Sequence, residues 1–384
     1  MLLKKILSYG FVEGLSKGLN KSILLLLPFF LDTSDFGKIG LLISVELLIP
    51  LLTLMGLEKA VLRFYSEKNQ YRFFNKTVSI ATIFSHFILL FILFILYVID
   101  IHSIFSLRVF PDLFLIIILV YFQGYNQIKL NMLRVEERHK TYYRGRLFFQ
   151  VSKFILILFI VYLSGSYLGY LYGGIIAALS TSILLNFSFE TSQKEKFHKS
   201  TFLSLFLFSW PFMLHGLSTK ILANADKFIM EEFLTLDEVG IYTFAYSIGS
   251  MMLFAYIGIS VYMEPLIYKA KNKESLDDLL NKYLTLALSS GLIVYLLITI
   301  TSQYLVPILY DKSYNVVLNF IPLIAFAYMI YPYYLKSNYR MIYNKKSLSI
   351  AIISISTAIL NIGLNVFFIP KYGIFAAILA TAIS

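Results

Sequence analysis

Apolar stretches of about twenty residues or more recur from one end of this 384-residue chain to the other. No other feature restricts its fold as strongly. Lipid offers no hydrogen bonds, so only helices and closed barrels can cross a membrane. Barrel strands alternate in polarity, whereas these runs are continuous. Composition agrees: 58% of residues are hydrophobic, 14% are charged, and the mean hydropathy is +0.75. A soluble domain is about half apolar and about a quarter charged. The fold class expected is an all-α polytopic membrane protein with about twelve transmembrane helices.

The spans predicted are 6–30, 36–62, 75–99, 111–133, 146–164, 168–189, 202–230, 236–263, 278–300, 314–336, 347–369 and one beginning at 373. With the amino terminus inside, "RFYSEKNQYRFFNK", "RVEERHKTYYRGR", "QKEKFHK" and "KSNYRMIYNKK" all fall on the cytoplasmic side. The opposite side receives only Lys38, Arg108, Lys312 and Lys371. The positive-inside rule then sets an N-in orientation. It also accounts for the net charge of +11 without nucleic acid. The start, "MLLKKILSYG", has no small-residue cleavage site, so the first span reads as an uncleaved anchor. The segment "KAKNKESLDDLLNKY" reads as an amphipathic surface helix.

The chain repeats at an offset near 200. "YGGIIAALSTSI" from Tyr172 aligns with "YGIFAAILATAI" from Tyr372, identical at six of twelve positions. "LDTSDFG" from Leu31 meets "LTLDEVG" from Leu234, which places Gly37 on Gly240; the same offset places Lys17 on Lys220. An even number of spans separates equivalent points, so the repeat is parallel, an arrangement used by transporters. The domains expected are an N-terminal six-helix lobe over 1–190, a cytoplasmic linker over 191–201 and a C-terminal six-helix lobe over 202–384.

Charges inside the spans need a reason, because each costs about 3 kcal/mol near a helix centre on insertion scales. Lys59, Lys129, Lys153 and Lys227 lie near span ends, where snorkelling suffices. Lys17, Lys21 and Lys220 lie within about 6 Å of their span centres at the helical rise. Glu13, Lys17 and Lys21 form one stripe, so a Glu13–Lys17 salt bridge is one reading and an anion-binding cation cluster the other. Glu46 in the second span is the other midspan acid, and His215 and Asp226 share the seventh span with Lys220. Gly10, Gly14 and Gly18 form a small-residue stripe read first as a helix-packing surface. Pro28, Pro211 and Pro332 are candidate kinks.

Enzyme and ATPase signals are sparse. There are no cysteines, the five histidines lack ligand spacing, and neither GxxxxGK[ST] nor HExxH occurs. No metal, cofactor or catalytic residue is expected, and the chain reads as a non-enzyme.

Four stretches carry a family resemblance: Leu31–Lys68 with "GLEKAVLRFYSE", "SWPFMLHGLSTKILANADKFIM" (Ser209–Met230), "VGIYTFAYSIG" (Val239–Gly249) and "IPKYGIFAAILATAIS" (Ile369–Ser384). The chain resembles an O-antigen or capsule repeat-unit flippase of the Wzx type, in the MOP exporter superfamily shared with MATE antiporters and lipid II flippases. The resemblance implies two six-helix lobes in a V that opens alternately to either side of the bacterial inner membrane. It implies an undecaprenyl-pyrophosphate-linked oligosaccharide as cargo, on the route to lipopolysaccharide or capsule. Lys17, Lys21 and Lys220 match the family's cavity cations and would bind the pyrophosphate. A proton or sodium gradient would drive transport, with Glu13, Glu46, His215, Asp226 or Lys227 as coupling or cavity residues. Membrane lipids, a polysaccharide polymerase and a chain-length regulator are the partners implied. The family's last helix runs longer than the 11 residues after Gly373, so a short or truncated final helix is expected. The alternatives are a MATE-type drug or cation antiporter, a lipid II flippase and a membrane polysaccharide polymerase.

The orientation is testable because the chain is free of cysteine. Single cysteines at Ser192 and Thr235 are expected to differ in labelling by an impermeant thiol reagent in intact cells, with Thr235 labelled. Equal labelling would overturn the topology.

Overall fold

The computed structural model describes residues 2–70, 74–188, 196–344 and 346–384. Residues 191–195 of the expected linker lie outside the described residues. Apart from a two-stranded hairpin, Ser103–Ile104 with Leu107–Arg108, regular structure is helical. Among the described residues, ten helical stretches are long and apolar enough to cross a membrane. They correspond to the second to eleventh predicted spans. The first helix, α1 (Leu2–Leu26), is as long but too charged for that test, and the last, Ile374–Ile383, has 10 residues. The chain is a multi-pass helical membrane protein.

Three predicted spans are divided. The second becomes α2 (Thr33–Thr53) and α3 (Leu57–Phe64), because Met55 and Gly56 adopt positive φ. Gly56 also sits against α8 (Lys199–Phe233): a Cβ there would lie 2.5 Å from the Ser209 carbonyl oxygen. Ser209 Oγ in turn donates to the Met55 carbonyl at 2.9 Å. The eighth span becomes α9 (Leu236–Gly249) and α10 (Phe254–Tyr268) around one 3-10 turn. The tenth becomes α12 (Ile321–Met329) and α13 (Tyr331–Tyr343), with Pro332 in the first turn of α13, where no amide donor is needed. Pro211 lies within the continuous helix α8. The expected surface helix is no separate element. Asn272 and Ser275 form a capping box that starts α11 (Lys273–Leu309), and its first turns continue into the span. Arg340 pairs with Asp277 and Lys336 donates to Asn281 at 2.8 Å, fastening those turns to α13.

The contacts divide the chain into two compact units: residues 1–31 with 38–220, and residues 32–37 with 221–384. The boundary within α8 therefore falls after Lys220, well past the polar linker. In the first unit, α4 (Phe74–Val98), α5 (Phe114–Val135), α6 (His139–Ser164) and α7 (Leu168–Asn186) join α1 to α3. The α6–α7 contact is a small-residue seam. A Cβ on Gly169 would lie 2.8 Å from the Val161 Cα, and one on Gly173 2.6 Å from the Ile157 Cα. The stripe expected to pack, Gly14 and Gly18 on α1, faces open space instead.

In the second unit, the two turns that the sequence repeat aligns lie against each other. A Cβ on Gly240 would lie 1.8 Å from the Thr33 carbonyl oxygen, and one on Gly37 2.1 Å from that of Leu236. Thr33 Oγ1 donates to Asp237, and Thr235 with Glu238 caps α9. Beneath them Tyr314 is buried edge-on to Phe36 and Phe244 and donates to the Asp32 carbonyl at 3.0 Å. The helices α14 (Ser347–Tyr372) and α15 (Ile374–Ile383) complete this unit.

Gly240→Ala is expected to destabilise the protein by about 1–3 kcal/mol, as overpacking does, read as a lower Tm in detergent. Gly14→Ala on the open face is expected to leave Tm unchanged. Equal Tm for both variants would contradict the packed-turn arrangement.

Candidate functional site

Polar side chains gather inside the first unit because three helices each present a polar stripe to one cavity. On α6, Arg146, Gln150 and Lys153 recur at intervals of four and three, hence on one face. On α5, Gln123 and Gln127 are one turn apart, and α2 contributes Glu46. These residues, with Asn20 of α1, line a cavity of about 280 Å³ whose remaining wall includes Phe149, Leu54 and Leu130.

The Glu46 carboxylate is the most heavily bonded group in it. Lys153 Nζ lies 3.0 Å from Oε1, Gln123 Nε2 donates to the same oxygen at 2.7 Å, and the Tyr170 hydroxyl donates to Oε2 at 2.5 Å. Lys153, expected to snorkel, is instead 7% exposed. The reason is direct: a buried carboxylate on α2 supplies the opposite charge at its own depth, so it need not reach the interface. Glu13 behaves similarly. It pairs with Arg146 at 3.2 Å and accepts from Tyr142 at 2.5 Å, in place of the Lys17 partner considered from its spacing. Arg146, grouped with a cytoplasmic loop in the sequence, stands in the second turn of α6.

The three midspan lysines belong to the same unit. Lys17 is exposed, and Lys21 and Lys220 are half-buried. His215 is exposed on α8.

Asp226 and Lys227 form a second cluster, in the second unit. Asp226 is 4% exposed and accepts from the Tyr242 hydroxyl and, at 2.8 Å, from the Lys227 backbone amide. Lys227 is 7% exposed, so it too is buried where snorkelling was expected. Its ammonium lies 5.9 Å from the Tyr246 ring centre, a cation–π contact that replaces water. The Tyr246 and Tyr328 hydroxyls share a hydrogen bond, extending the cluster to α12. Among the described residues no group of three or more His, Cys, Asp or Glu could hold a metal ion.

Sequence reasoning missed Arg146, Gln150, Lys153, Gln123 and Gln127 as site residues. The signal was present in "RLFFQVSKF" and "FQGYNQ": polar residues at helical spacing within apolar runs.

The fold is similar to that of solved MATE and MurJ structures. The chain superposes on a multidrug resistance MATE family transporter of the MOP superfamily, in an inward-facing conformation, with a TM-score of 0.69. Identity is 14%, covering 94% of this chain and 90% of that one. On the lipid II flippase MurJ in an inward closed conformation the TM-score is 0.70, with 16% identity over 99% and 84% of the two chains. No curated protein sequence matches it. Within that fold the chain belongs to the polysaccharide biosynthesis protein family, whose profile matches residues 2–267.

Lys153→Ala would leave Glu46 a buried carboxylate without its cation, at an expected cost of about 3–5 kcal/mol. The double variant Glu46→Gln with Lys153→Met is expected to recover most of that loss in thermal unfolding. A Lys153→Ala protein that melts like the wild type would contradict the buried pair.

Proposed function

We propose that this protein is a secondary transporter that flips an undecaprenyl-pyrophosphate-linked oligosaccharide by alternating access. The cargo would be an O-antigen or capsule repeat unit, moved from the cytoplasmic to the periplasmic leaflet of the bacterial inner membrane. The observation that carries this reading is the polysaccharide biosynthesis family match over residues 2–267 on a fold that also serves a lipid II flippase.

Lys17, Lys21 and Lys220 are the proposed pyrophosphate contacts. A diphosphate brings its own negative charge into the membrane, and ammonium groups held at midspan compensate it where water cannot. The first unit's cavity also offers no unpaired carboxylate to the cationic drugs of an antiporter. It presents Arg146 and Lys153 against Glu46 as its one acid. A proton or sodium gradient is the proposed energy source. Among the coupling candidates Asp226 is buried, the Glu46 side chain is 10% exposed, Glu13 is half-buried and His215 is exposed. A polymerase and a chain-length regulator would act on the product after release.

The test follows surface polysaccharide in a strain lacking its own flippase. Each Lys→Ala change at 17, 21 or 220 removes a charge-assisted contact, expected to weaken cargo affinity by roughly tenfold to a hundredfold. Lys→Arg is expected to retain part of the activity, since the charge and donors survive. Lys59→Ala and Lys129→Ala are controls expected to export normally. Wild-type surface polysaccharide from the triple alanine variant would overturn the lysine assignment.

A further inference from the structure

The connection between α4 and α5 leaves α4 sideways. Asp100 adopts φ +62°, the Ile101 amide donates to the Leu96 carbonyl at 2.9 Å, and the Asp100 amide donates to the Tyr97 carbonyl at 3.3 Å. This is a Schellman cap, and its longer loop holds Ile101 level with the last turn of α4. The hairpin that follows pairs Ser103 with Arg108 and Ile104 with Leu107. Its root is fixed. Leu107 and Val109 are buried, as is Asp112, which accepts from the Arg108 amide at 2.9 Å and from the Tyr167 hydroxyl at 3.0 Å. The Arg108 guanidinium lies 3.4 Å from the same carboxylate.

What this root holds out is apolar. Phe105 at the turn and Phe110 after the second strand are 45% and 63% exposed, and Tyr97 in the last turn of α4 is exposed as well. Phe105 and Ser106 both have positive φ, +48° and +52°. A two-residue turn of that form favours Asn-Gly, which tolerates the left-handed region. Phenylalanine at the tip runs against the turn's own preference.

Water, protein and lipid are the three surroundings open to such a tip, and charge separates them. The segment "EEFLTLDE" across the α8–α9 connection carries four acids and suits water. In "IHSIFSLRVF", residues 101–110, Arg108 stands as the one Lys, Arg, Asp or Glu, and it is paired with Asp112. The 25 residues of α4 cross a hydrocarbon core of about 30 Å with about a turn to spare. A segment so poor in charge, held level with the end of that span, meets the boundary between headgroups and acyl chains, where aromatic rings are favoured.

We propose that this hairpin is a lipid anchor. Phe105 and Phe110 seat in the bilayer at the headgroup boundary, and the Asp112 cluster passes that hold to α4 and α5. Because α5 carries Gln123 and Gln127, the anchor sets the depth at which the first unit's cavity lies in the membrane. The proposal rests on the membrane fold and is independent of the cargo.

The chain has no cysteine, so single labels test this directly. An NBD fluorophore is attached at Ser106→Cys in the full chain, reconstituted in nanodiscs of phosphatidylcholine and phosphatidylglycerol. Asp278→Cys, exposed on the polar turns of α11, is the water control, and Ile293→Cys, exposed near the middle of α11, is the lipid control. At position 106, quenching by a nitroxide on an upper acyl carbon is expected to be strong, and quenching by aqueous iodide is expected to be lost, as at 293. Phe105→Asn with Phe110→Ser on the same labelled chain is expected to reverse both, with nitroxide quenching lost and iodide quenching raised to the level at 278. If that double variant does not fold, Phe105→Asn alone carries the same expectation in smaller measure, since asparagine suits the turn. Iodide quenching at 106 equal to that at 278 would place the tip in water, and protection from both quenchers would place it under a second protein chain. Either result overturns the anchor, as does a variant that keeps the quenching pattern of its labelled parent.

Discussion

Within a membrane a charge has no water to retreat to, and the organisation of this protein follows from where each one finds compensation. Glu46 and Lys153 supply it to each other across α2 and α6. Glu13 and Arg146 do the same across α1 and α6, with Tyr142 completing the carboxylate. In the second unit, Asp226 takes the Tyr242 hydroxyl, and Lys227 takes the face of Tyr246. Near the hairpin, Asp112 is buried between Arg108 and Tyr167. Every one of these carboxylates has a tyrosine hydroxyl among its donors. Tyrosine suits the position: its ring is at home in an apolar bundle and its hydroxyl delivers one aimed donor.

The same shortage of water changes what holds helices together. Lipid is as apolar as a leucine side chain, so close backbone approach has to supply much of the attraction. Gly169 and Gly173 provide it between α6 and α7, and Gly37 and Gly240 provide it where the two repeat-related turns meet. The second pair gives the sequence repeat a physical meaning. Equivalent glycines are retained because each lies where the other copy's backbone passes, and a methyl group on either would displace a carbonyl.

Hydrophobic periodicity carries the helices plainly, so the second to eleventh spans and their order could be read from the sequence. What divides three of them could not, because Met55 and Gly56 turn the chain in answer to Ser209, a residue far away in sequence. Glycine spacing alone was equally ambiguous: the stripe at Gly14 and Gly18 faces open space, whereas Gly169 and Gly173 make the seam. For the charges, depth along a helix was legible and partnership was not. Lys153 lies near enough to a span end to snorkel, and only the position of α2 reveals that Glu46 waits beside it. Glu13 shows the converse. Its spacing from Lys17 is ideal for a pair within one helix, yet Arg146 and Tyr142 of a neighbouring helix take it instead.

Gln150 and Glu46 line one cavity and stand in opposite states: the carboxylate is bonded and the amide oxygen is not. A carboxylate left unpaired in that place would cost several kcal/mol, more than a marginally stable fold can bear. It is accordingly bonded on every side, and it fixes α2 against α5, α6 and α7. An amide oxygen left unpaired costs about 1–3 kcal/mol, which a fold can tolerate where something is gained. Leucine at 150 would avoid that cost and fill similar space. A glutamine there, its oxygen unpaired one turn after an arginine nitrogen in the same state, is a cost that the fold carries beside the fully bonded Glu46.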